Sequence, residues 1–415
     1  MKAIIERSRV QGETNAPPSK SQSIRLIFAS LKTPIELIEL PQSDDIMDAI
    51  DAVTLLGVRR ERKERERLLP PEKMELKDNF IKFRGSATTL RFFIPIVASI
   101  GGKITIDADP PLKYRPIRRI VESLSDKGVR FSSSTLPTEI EGKLSVDEVE
   151  ISGDESSQYI SGLIYGMLLR GGGKIKVKPP TSSLSYIKMT ISLMNRLGAK
   201  AEMKGNVIEV NESGELSPFV GKVPGDYALS SFLAAASIIS GGTLVVHDLD
   251  RPEEYFGDHS IVNLFRDMGA ESRWVNNTWE VKSGEIRGIT VDVNDAPDLA
   301  VSISTLAMAS DKETIITGVE RLKIKESDRI KTITDTVSAF GGEADYENNK
   351  LVIRGGKIKR GKISCPSDHR IAMMAAALSS VDGGEIDDAC CVNKSNPKFW
   401  EQYSSIGGKV RIVNG

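Results

Sequence analysis

The chain has 415 residues, of which 40% are hydrophobic and 27% are charged, and its formal net charge is −1. A chain of this length is too long to fold around one ordinary hydrophobic core, so we expect two domains. The composition is typical of a water-soluble globular protein. A net charge close to zero argues against a dedicated binder of nucleic acid or membrane surfaces. Any anion site must therefore be a local concentration of Lys and Arg.

Six segments repeat one pattern along the chain: a turn, a β-rich run, a loop, and an amphipathic run that ends in Gly and a small residue. The residues that open their predicted strands recur at intervals of about 70, which is the signature of an internal structural repeat. They are Thr33, Lys103, Lys174, Thr243, Thr314 and Glu385. The pattern predicts six α/β units, arranged as two domains of three.

An apolar helix is predicted before each of these segments, in the order "SIRLIFASL", "TTLRFFIPIVASI", "SQYISGLIYGMLL", "ALSSFLAAASIIS", "DLAVSISTLAMAS" and "HRIAMMAAALSSV". A helix that is apolar nearly all round is buried rather than amphipathic. We therefore expect an α/β fold with helices inside and sheets outside. The expected domains are 18–224, and 1–17 together with 225–415.

Cations stand in the polar first turns of three of these helices, at Lys20, Arg25, Arg91 and Arg370. The unpaired amides and the dipole make a helix N-terminus partly positive, so a cation there is unfavourable. Capping explains the Ser, Thr and Asp residues nearby but not the cations. Bound anions would compensate for them.

A second set of polar residues opens the half-exposed helices, in "KYRPIR", "SSLSYIK", "KESDR" and "NKSNP". It comprises Arg115, Ser183, Tyr186, Lys325, Glu326, Arg329 and Lys394. On a helix, Lys325 and Arg329 would form a like-charged i,i+4 pair, which is unfavourable unless an anion lies between them. With Asp298 and Asp368, the candidate site holds eight cations and three carboxylates, and this local excess predicts anionic ligands such as small phosphorylated carboxylates.

Nine stretches in order resemble the 5-enolpyruvylshikimate-3-phosphate synthase family over nearly the whole chain: "SKSQSIR", "SATTLR", "YRPI", "SSQY", "LSYI", "APDLA", "KESDR", "DHRIAM" and "NKSNP". The resemblance implies two inside-out α/β domains of the inverse-barrel type, with the active site in the cleft between them. Since so cationic a cleft should repel itself when empty, we expect the two domains to close around their anionic substrates. It implies transfer of the enolpyruvyl group of phosphoenolpyruvate to the 5-hydroxyl of shikimate 3-phosphate. It also implies that no metal or organic cofactor takes part.

The resemblance further implies a role for each matched residue. Shikimate 3-phosphate would contact Lys20, Ser21, Arg25, Ser156, Ser157, Gln158, Ser183, Tyr186, Asp298 and Lys325. Phosphoenolpyruvate would contact Lys20, Arg91, Arg115, Gln158, Arg329, Arg370 and Lys394. Asp298 and Glu326 resemble the proton-transfer pair, and Lys20 would assist the leaving phosphate electrostatically. The sequence does not decide which carboxylate moves which proton.

One departure concerns the glycine-rich turn before Arg91, which reads Gly85-Ser86-Ala87. The family usually has a second glycine where Ala87 stands. The added methyl group would narrow the space beside phosphoenolpyruvate, so we expect weakened inhibition by glyphosate, which is longer than that substrate.

Two alternatives remain open at this point. The related transferase that acts on UDP-N-acetylglucosamine usually carries a Cys in a mobile loop of its N-terminal half, whereas all three cysteines here, Cys365, Cys390 and Cys391, lie near the C-terminus. A non-catalytic anion-binding protein on the same fold would not need both Asp298 and Glu326. The run "RRERKERER" has no aromatic residues, so we interpret it as a solvated loop or helix face rather than a nucleic-acid site.

The cysteine spacing fits neither a zinc site nor a disulfide framework, so we expect a reduced chain in which Cys390 and Cys391 pack. The N-terminal stretch lacks the apolar core of a signal peptide, and no apolar run approaches the roughly 18 residues of a membrane span. We therefore expect a cytoplasmic chain. We also expect a monomer with no nucleic-acid or membrane partner.

Overall fold

The computed structural model describes residues 1–40, 43–62, 65–110, 112–211, 214–250 and 257–413. The chain divides into two compact units, Lys20–Val223 and the combination of Met1–Ser19 with Pro224–Gly415. The first unit is called the middle unit below, and the second is called the terminal unit.

The described residues form strands β1 (Lys2–Glu6), β2 (Gly12–Asn15), β3 (Ile35–Ile38), β4 (Arg59–Arg62), β5 (Glu66–Leu69), β6 (Phe80–Phe83), β7 (Gly102–Ala108), β8 (Val129–Phe131), β9 (Thr138–Gly142), β10 (Glu148–Ser152), β11 (Gly173–Lys178), β12 (Lys200–Lys204), β13 (Val207–Asn211), β14 (Phe219–Lys222), β15 (Thr243–His247), β16 (Glu271–Val275), β17 (Thr278–Lys282), β18 (Thr290–Asp292), β19 (Thr314–Thr317), β20 (Glu343–Glu347), β21 (Lys350–Arg354), β22 (Gly361–Ser364), β23 (Gly384–Asp387) and β24 (Lys409–Val413). The α-helices are α1 (Lys20–Ala29), α2 (Asp44–Leu55), α3 (Ala87–Ile100), α4 (Arg118–Leu124), α5 (Ser157–Leu169), α6 (Leu184–Arg196), α7 (Tyr227–Ile239), α8 (Ile261–Asp267), α9 (Leu299–Ala307), α10 (Arg329–Ala339), α11 (His369–Asp382) and α12 (Phe399–Ser405).

The strands form six four-stranded sheets with one common topology, in which a parallel pair is followed by two antiparallel pairs. In the middle unit the sheets are β14-β3-β5-β4, β6-β7-β9-β8 and β10-β11-β13-β12. In the terminal unit they are β2-β15-β17-β16, β18-β19-β21-β20 and β22-β23-β1-β24. The same pairing in every sheet confirms the sixfold repeat predicted from the sequence.

Each unit places its apolar helices at its centre, as predicted. These are α1, α3 and α5 in the middle unit, and α7, α9 and α11 in the terminal unit. Every residue of α9 is buried, whereas α6 and α10 bury only one side. Strand residues alternate between buried and exposed, as in β11, because one face of each sheet packs on the helices.

Two glycines allow α3 and α5 to pack unusually closely. A Cβ atom on Gly162 would lie 2.6 Å from Cγ of Pro95 and 2.8 Å from Cα of Phe92, and Gly166 is similarly packed against Ser99. The contact moves four residues along α5, from Gly162 to Gly166, and four residues along α3, from Pro95 to Ser99. The two helices therefore run in the same direction. Their N-terminal turns therefore begin side by side.

The cysteine prediction was wrong. Cys365 and Cys391 form a disulfide, while Cys390 is an exposed free thiol. The two cysteines are 26 residues apart and follow β22 and β23, whose parallel pairing brings them together. Disulfides persist in oxidising compartments and in intracellular proteins of hyperthermophiles, so cysteine content no longer supports the prediction of a cytoplasmic chain.

The interpretation of "RRERKERER" as a loop or helix face was also wrong. Its ends are the antiparallel strands β4 and β5, and Lys63 and Glu64 lie outside the described residues. The buried Glu66 accepts a hydrogen bond from Nε of Arg60 at 2.6 Å. Among the described residues, no helix is long and apolar enough to span a membrane.

Candidate active site

Arg329 is the centre of a charge cluster in the terminal unit. It begins α10, its residue surface is 0% exposed, and three carboxylates surround its guanidinium group. Nη1 lies 2.6 Å from Oδ1 of Asp298, Nη2 lies 2.5 Å from Oε2 of Glu326, and Nε lies 2.8 Å from Oδ2 of Asp368. One buried cation thus holds both carboxylates of the predicted proton-transfer pair.

Asp298 is shared by three cations. Besides Arg329, Nζ of Lys325 lies 3.2 Å from its Oδ1 and Nη2 of Arg370 lies 3.0 Å from its Oδ2. Burial alone would raise the pKa of Asp298, but the positive charges of Arg370, Lys325 and Arg329 outweigh it and hold this pKa well below its usual value. The Asp298 side chain is therefore a carboxylate at neutral pH.

Lys325 responds to the same surroundings in the opposite direction. Burial disfavours its charged form and is the main reason that its pKa is lowered, while the Asp298 carboxylate partly offsets that effect. Lys325 thus contacts the Asp298 carboxylate from a partly buried position.

The "KESDR" stretch is not the helical turn that the sequence suggested. A 3₁₀ segment ends at Ile324 and α10 begins only at Arg329, so Lys325 and Arg329 are not an i,i+4 pair on one helix. They meet instead at the Asp298 carboxylate. Asp328 is exposed and caps α10 by accepting a hydrogen bond from the Lys331 amide at 3.2 Å, because a helix start needs an acceptor for its unpaired amides.

Asp368 links this cluster to the start of α11. Its side chain accepts a hydrogen bond from the Arg370 amide at 3.1 Å, as the N-cap of α11, and a second from Oγ of Ser327 at 3.0 Å. Because the same carboxylate also holds Arg329, it fixes α10 and α11 relative to each other within the terminal unit.

Lys394 ends a 3₁₀ segment, and within the described part of the chain no carboxylate pairs with it.

In the middle unit, the adjoining starts of α3 and α5 assemble a second polar cluster. Nη1 of Arg91 lies 3.1 Å from Oε1 of Gln158 and 3.4 Å from Oγ of Ser156. Gln158 in turn donates from Nε2 to Oγ1 of Thr88 at 2.8 Å. Ser157, at the first position of α5, is buried beside them. The close packing at Gly162 therefore brings together four of the predicted ligands, and Thr88 joins them.

Tyr159 connects this cluster to the segment that carries Arg115. Its hydroxyl donates to the carbonyl oxygen of Pro116 at 3.2 Å, and the Arg91 guanidinium lies 5.4 Å from its ring centroid. Burial raises the pKa of Tyr159 to about 12, so the hydroxyl remains a donor at neutral pH. Arg115 itself is half-buried, directly after a 3₁₀ turn.

Arg25 lies deeper than the sequence suggested, because its residue surface is only 1% exposed. Its guanidinium donates to Oγ1 of Thr190 at 2.8 Å and to the carbonyl oxygens of Ser21 at 2.8 Å and Tyr186 at 3.0 Å. It also lies 5.3 Å from the Phe92 ring centroid. These contacts make Arg25 a support for Ser21 and Tyr186, and its contact with shikimate 3-phosphate stays a prediction.

Two further predicted ligands have informative local structure. Nζ of Lys20 lies 2.7 Å from Oδ2 of the buried Asp45, so a carboxylate holds the lysine at the start of α1. Ser183 has a φ of 53° just before α6 and is buried. A left-handed conformation in a residue other than glycine is often found at functional sites.

The structure thus gathers some of the predicted residues into two groups. Arg91, Ser156 and Gln158 form one in the middle unit, and Asp298, Lys325, Glu326, Arg329 and Arg370 form the other in the terminal unit. Sequence reasoning missed the residues that support them, and most of these are polar: Asp45, Thr88, Ser327, Tyr159 and Thr190. Thr88, Tyr159 and Ser327 lie inside motifs that the sequence had singled out, whereas Asp45 and Thr190 gave no local signal. No group of His, Cys, Asp and Glu suited to a metal ion occurs among the described residues.

Buried guanidinium groups, helix starts and paired carboxylates in a six-repeat α/β fold define a class of protein that can bind small polyanions and move protons beside them. The family model described as EPSP synthase (3-phosphoshikimate 1-carboxyvinyltransferase) matches residues 4–403. The chain therefore belongs to the EPSP synthase family.

Two of the most similar relatives are named 3-phosphoshikimate 1-carboxyvinyltransferase. A 3-phosphoshikimate 1-carboxyvinyltransferase of Saccharolobus islandicus is 48% identical over 414 residues, which is 98% of this chain and 99% of the relative. One from Sulfurisphaera tokodaii is 49% identical over 413 residues, with the same coverage. The solved EPSP synthase of Acinetobacter baumannii has a TM-score of 0.82 at 20% identity and covers 100% of both chains, which confirms the two-domain inverse-barrel fold.

Proposed function

We propose that this chain transfers the enolpyruvyl group of phosphoenolpyruvate to the 5-hydroxyl of shikimate 3-phosphate and releases phosphate. The observation that carries the proposal is the pairing of Asp298 and Glu326 on the buried Arg329, with Lys325 and Arg370 beside them. A protein that only bound anions would gain nothing from two carboxylates in a cation cluster. The reaction needs a base for the attacking hydroxyl and an acid for the methylene carbon.

We assign the base to Asp298. In the first step the 5-hydroxyl oxygen bonds to C2 of phosphoenolpyruvate, loses its proton, and C3 gains a proton to give a tetrahedral intermediate. Three cations keep Asp298 ionised, as a base must be before it accepts a proton, but they also lower its proton affinity. Its basicity would rise where a substrate anion draws one of these cations away. Glu326, on the same guanidinium group, would enter the step protonated, deliver its proton to C3, and regain one from C3 as the C2–O bond to phosphate breaks. The proton taken up by Asp298 would then leave with the released phosphate.

The two substrates would use the two groups of residues differently. In this proposal Arg91, Gln158, Arg115, Arg370 and Lys394 bind phosphoenolpyruvate. Arg329 takes part by exchanging one of its present carboxylate contacts for the substrate. Shikimate 3-phosphate is held by Lys20, Ser21, Arg25, Ser156, Ser157, Gln158, Ser183, Tyr186, Asp298 and Lys325.

Lys20 would have an additional role at the leaving phosphate. Its ammonium group is held by Asp45 at 2.7 Å and its side chain is 15% exposed, so it is fixed in place yet accessible. A positioned cation stabilises the negative charge that develops on a departing phosphate without having to reorganise. The assignment is compatible with Lys20 touching both substrates.

An acceptor-specificity assay tests the proposal. The purified chain is mixed with phosphoenolpyruvate and either shikimate 3-phosphate or UDP-N-acetylglucosamine, and phosphate release is followed. We expect release with shikimate 3-phosphate alone. Release with the nucleotide sugar would favour the related transferase, and release with neither would favour a non-catalytic binder.

A further inference from the structure

One buried carboxylate of the middle unit has no part in the proposed chemistry. Asp48 lies in α2, one helical turn after Asp45, and its residue surface is 1% exposed. Residues three apart share a helix face, so the two carboxylates project from the same side of α2. Asp45 holds Lys20, whereas Asp48 serves a different segment.

Asp48 receives four hydrogen bonds from the turn that precedes α3. Its Oδ1 accepts from the backbone amide of Arg84 at 3.0 Å and from Nη1 of the same residue at 3.0 Å. Its Oδ2 accepts from the amides of Gly85 at 3.1 Å and Ser86 at 3.0 Å. Both oxygens are therefore saturated by donors from three consecutive residues.

These bonds determine which amides the start of α3 can offer to a ligand. Ser86 caps the helix, because its Oγ accepts from the Thr89 amide at 3.3 Å, and its carbonyl oxygen accepts from the Leu90 amide at 3.0 Å. Within the described residues, the amides of Ala87 and Thr88 then remain without a protein acceptor. They lie one turn before Arg91.

We propose that Asp48 is a positioning residue for phosphoenolpyruvate binding: it anchors the turn Arg84–Ser86, and thereby sets the first turn of α3 and the direction of Arg91. This inference rests on the function proposed above. Asp48 would act by fixing the backbone of this turn, because the turn encloses its carboxylate.

Arg84 offsets part of the negative charge of Asp48. Arg84 pairs with both Asp48 and the more exposed Asp51, whose Oδ2 lies 2.8 Å from Nη1. Burial raises the pKa of Asp48 and its hydrogen bonds to the turn oppose that rise. The Arg84 guanidinium thus offsets part of the negative charge that Asp48 places behind a helix start facing a negatively charged substrate.

The substitution Asp48→Asn tests the anchor with almost no change of volume. Whichever way the new amide is turned, its NH₂ group faces two donors, so two of the four bonds are lost. Charge-assisted hydrogen bonds are strong enough that we expect the KM for phosphoenolpyruvate to rise roughly tenfold. The KM for shikimate 3-phosphate and kcat should each change less than about threefold.

Asp51→Asn is the matched control. Asp51 lies on the same helix and contacts the same guanidinium group, but it receives no backbone amide from the turn. We expect its kinetic constants to stay within about twofold of the wild type. An Asp48→Asn enzyme that folds and keeps the wild-type KM for phosphoenolpyruvate would overturn the inference, and so would an equal rise of both KM values.

Hydrogen exchange on the wild-type chain keeps the test independent of whether the variant folds. We expect the amides of Gly85 and Ser86 to exchange slowly and those of Ala87 and Thr88 to exchange faster. Fast exchange at Gly85 and Ser86 would show that Asp48 does not hold the turn. A wild-type chain that released no phosphate would instead contradict the proposed function and leave this exchange pattern to be judged separately.

Discussion

The most consequential residue is Arg329, because it holds three carboxylates while its surface is fully buried. A buried ion pair is stable only when nearly all of its partners are satisfied. The cluster therefore depends on each member. Substitutions at Asp298 and Glu326 should affect the reaction more than their surface exposure suggests.

We predict that Asp298→Asn lowers kcat at least about 100-fold, because general acid–base groups typically contribute factors of this size. Phosphate-release kinetics measure the effect. The matched control is Asp328→Asn, which removes a nearby exposed carboxylate but keeps an effective helix cap. Near-normal turnover in Asp298→Asn would rule out the assigned role.

Asp298 should also contribute to the pH dependence of stability. Its pKa in the folded chain lies well below the value of about 3.9 that an unfolded Asp has. Its stabilising effect is therefore complete above that value and is lost as the pH falls through the folded pKa. Below about pH 4, the free energy of unfolding should fall less steeply with decreasing pH in Asp298→Asn than in the wild type. Chemical unfolding at several pH values measures this, and identical slopes in the two proteins would contradict it.

Ala87 carries a prediction about inhibition. It occupies the first position of α3 and is buried, so its methyl group is part of the wall at the start of that helix. We predict that Ala87→Gly lowers the glyphosate concentration for half inhibition by roughly tenfold, through the space it frees. Steady-state inhibition at low phosphoenolpyruvate measures it. Sub-micromolar inhibition of the wild type that does not change in the variant would show that Ala87 is not the cause.

At the scale of elements, the packing of α3 on α5 determines where Arg91 meets Gln158. Replacement of Gly162 by Ala would improve helix propensity by up to about 1 kcal/mol, yet the new methyl group would lie 2.6 Å from Pro95. Overpacking typically costs about 1–3 kcal/mol, so we predict net destabilisation. Denaturant unfolding of Gly162→Ala against Gly214→Ala, where nothing lies within 4 Å, checks it.

The disulfide joins two segments that carry proposed ligands, since Arg370 follows Cys365 and Lys394 follows Cys391. For a loop closed over 26 residues, the loss of chain entropy predicts stabilisation of about 3.5 kcal/mol. The double substitution Cys365→Ser and Cys391→Ser should therefore lower Tm and raise the KM for phosphoenolpyruvate. Cys390→Ser, which removes only the exposed thiol, should do neither.

A thiol titration of the unfolded chain under non-reducing conditions checks the bond itself. One reactive thiol is expected from a chain with the Cys365–Cys391 disulfide and free Cys390. Three reactive thiols would contradict the bond.

At the scale of the whole molecule, the repeat made the fold predictable. Regular spacing and fully apolar helices were enough to expect six α/β units with central helices. The pairing of β1 with β23 and β24 agrees with the expectation that the N-terminus completes the second half of the chain. Local patterns predicted the fold because every repeat packs an apolar helix against a sheet in the same way.

The supporting contacts were not predictable from sequence, since they join residues that are distant along the chain. Arg25 reaches Thr190, Asp48 reaches the turn at Arg84, and Cys365 reaches Cys391 only after the helices and sheets have packed. No local spacing encodes such pairs. For the same reason, the motif "KESDR" indicated residues that the structure places in one charge cluster, while its assumed helical geometry was wrong. Its role in the chemistry stays a prediction.

The central claim is that the chain joins two specific substrates, and product analysis by ³¹P nuclear magnetic resonance tests it most directly. With phosphoenolpyruvate and shikimate 3-phosphate, we predict that inorganic phosphate and one new phosphate monoester appear in equal amounts as both substrates disappear. Phosphate release with unchanged shikimate 3-phosphate would mean hydrolysis rather than transfer, and would contradict the account.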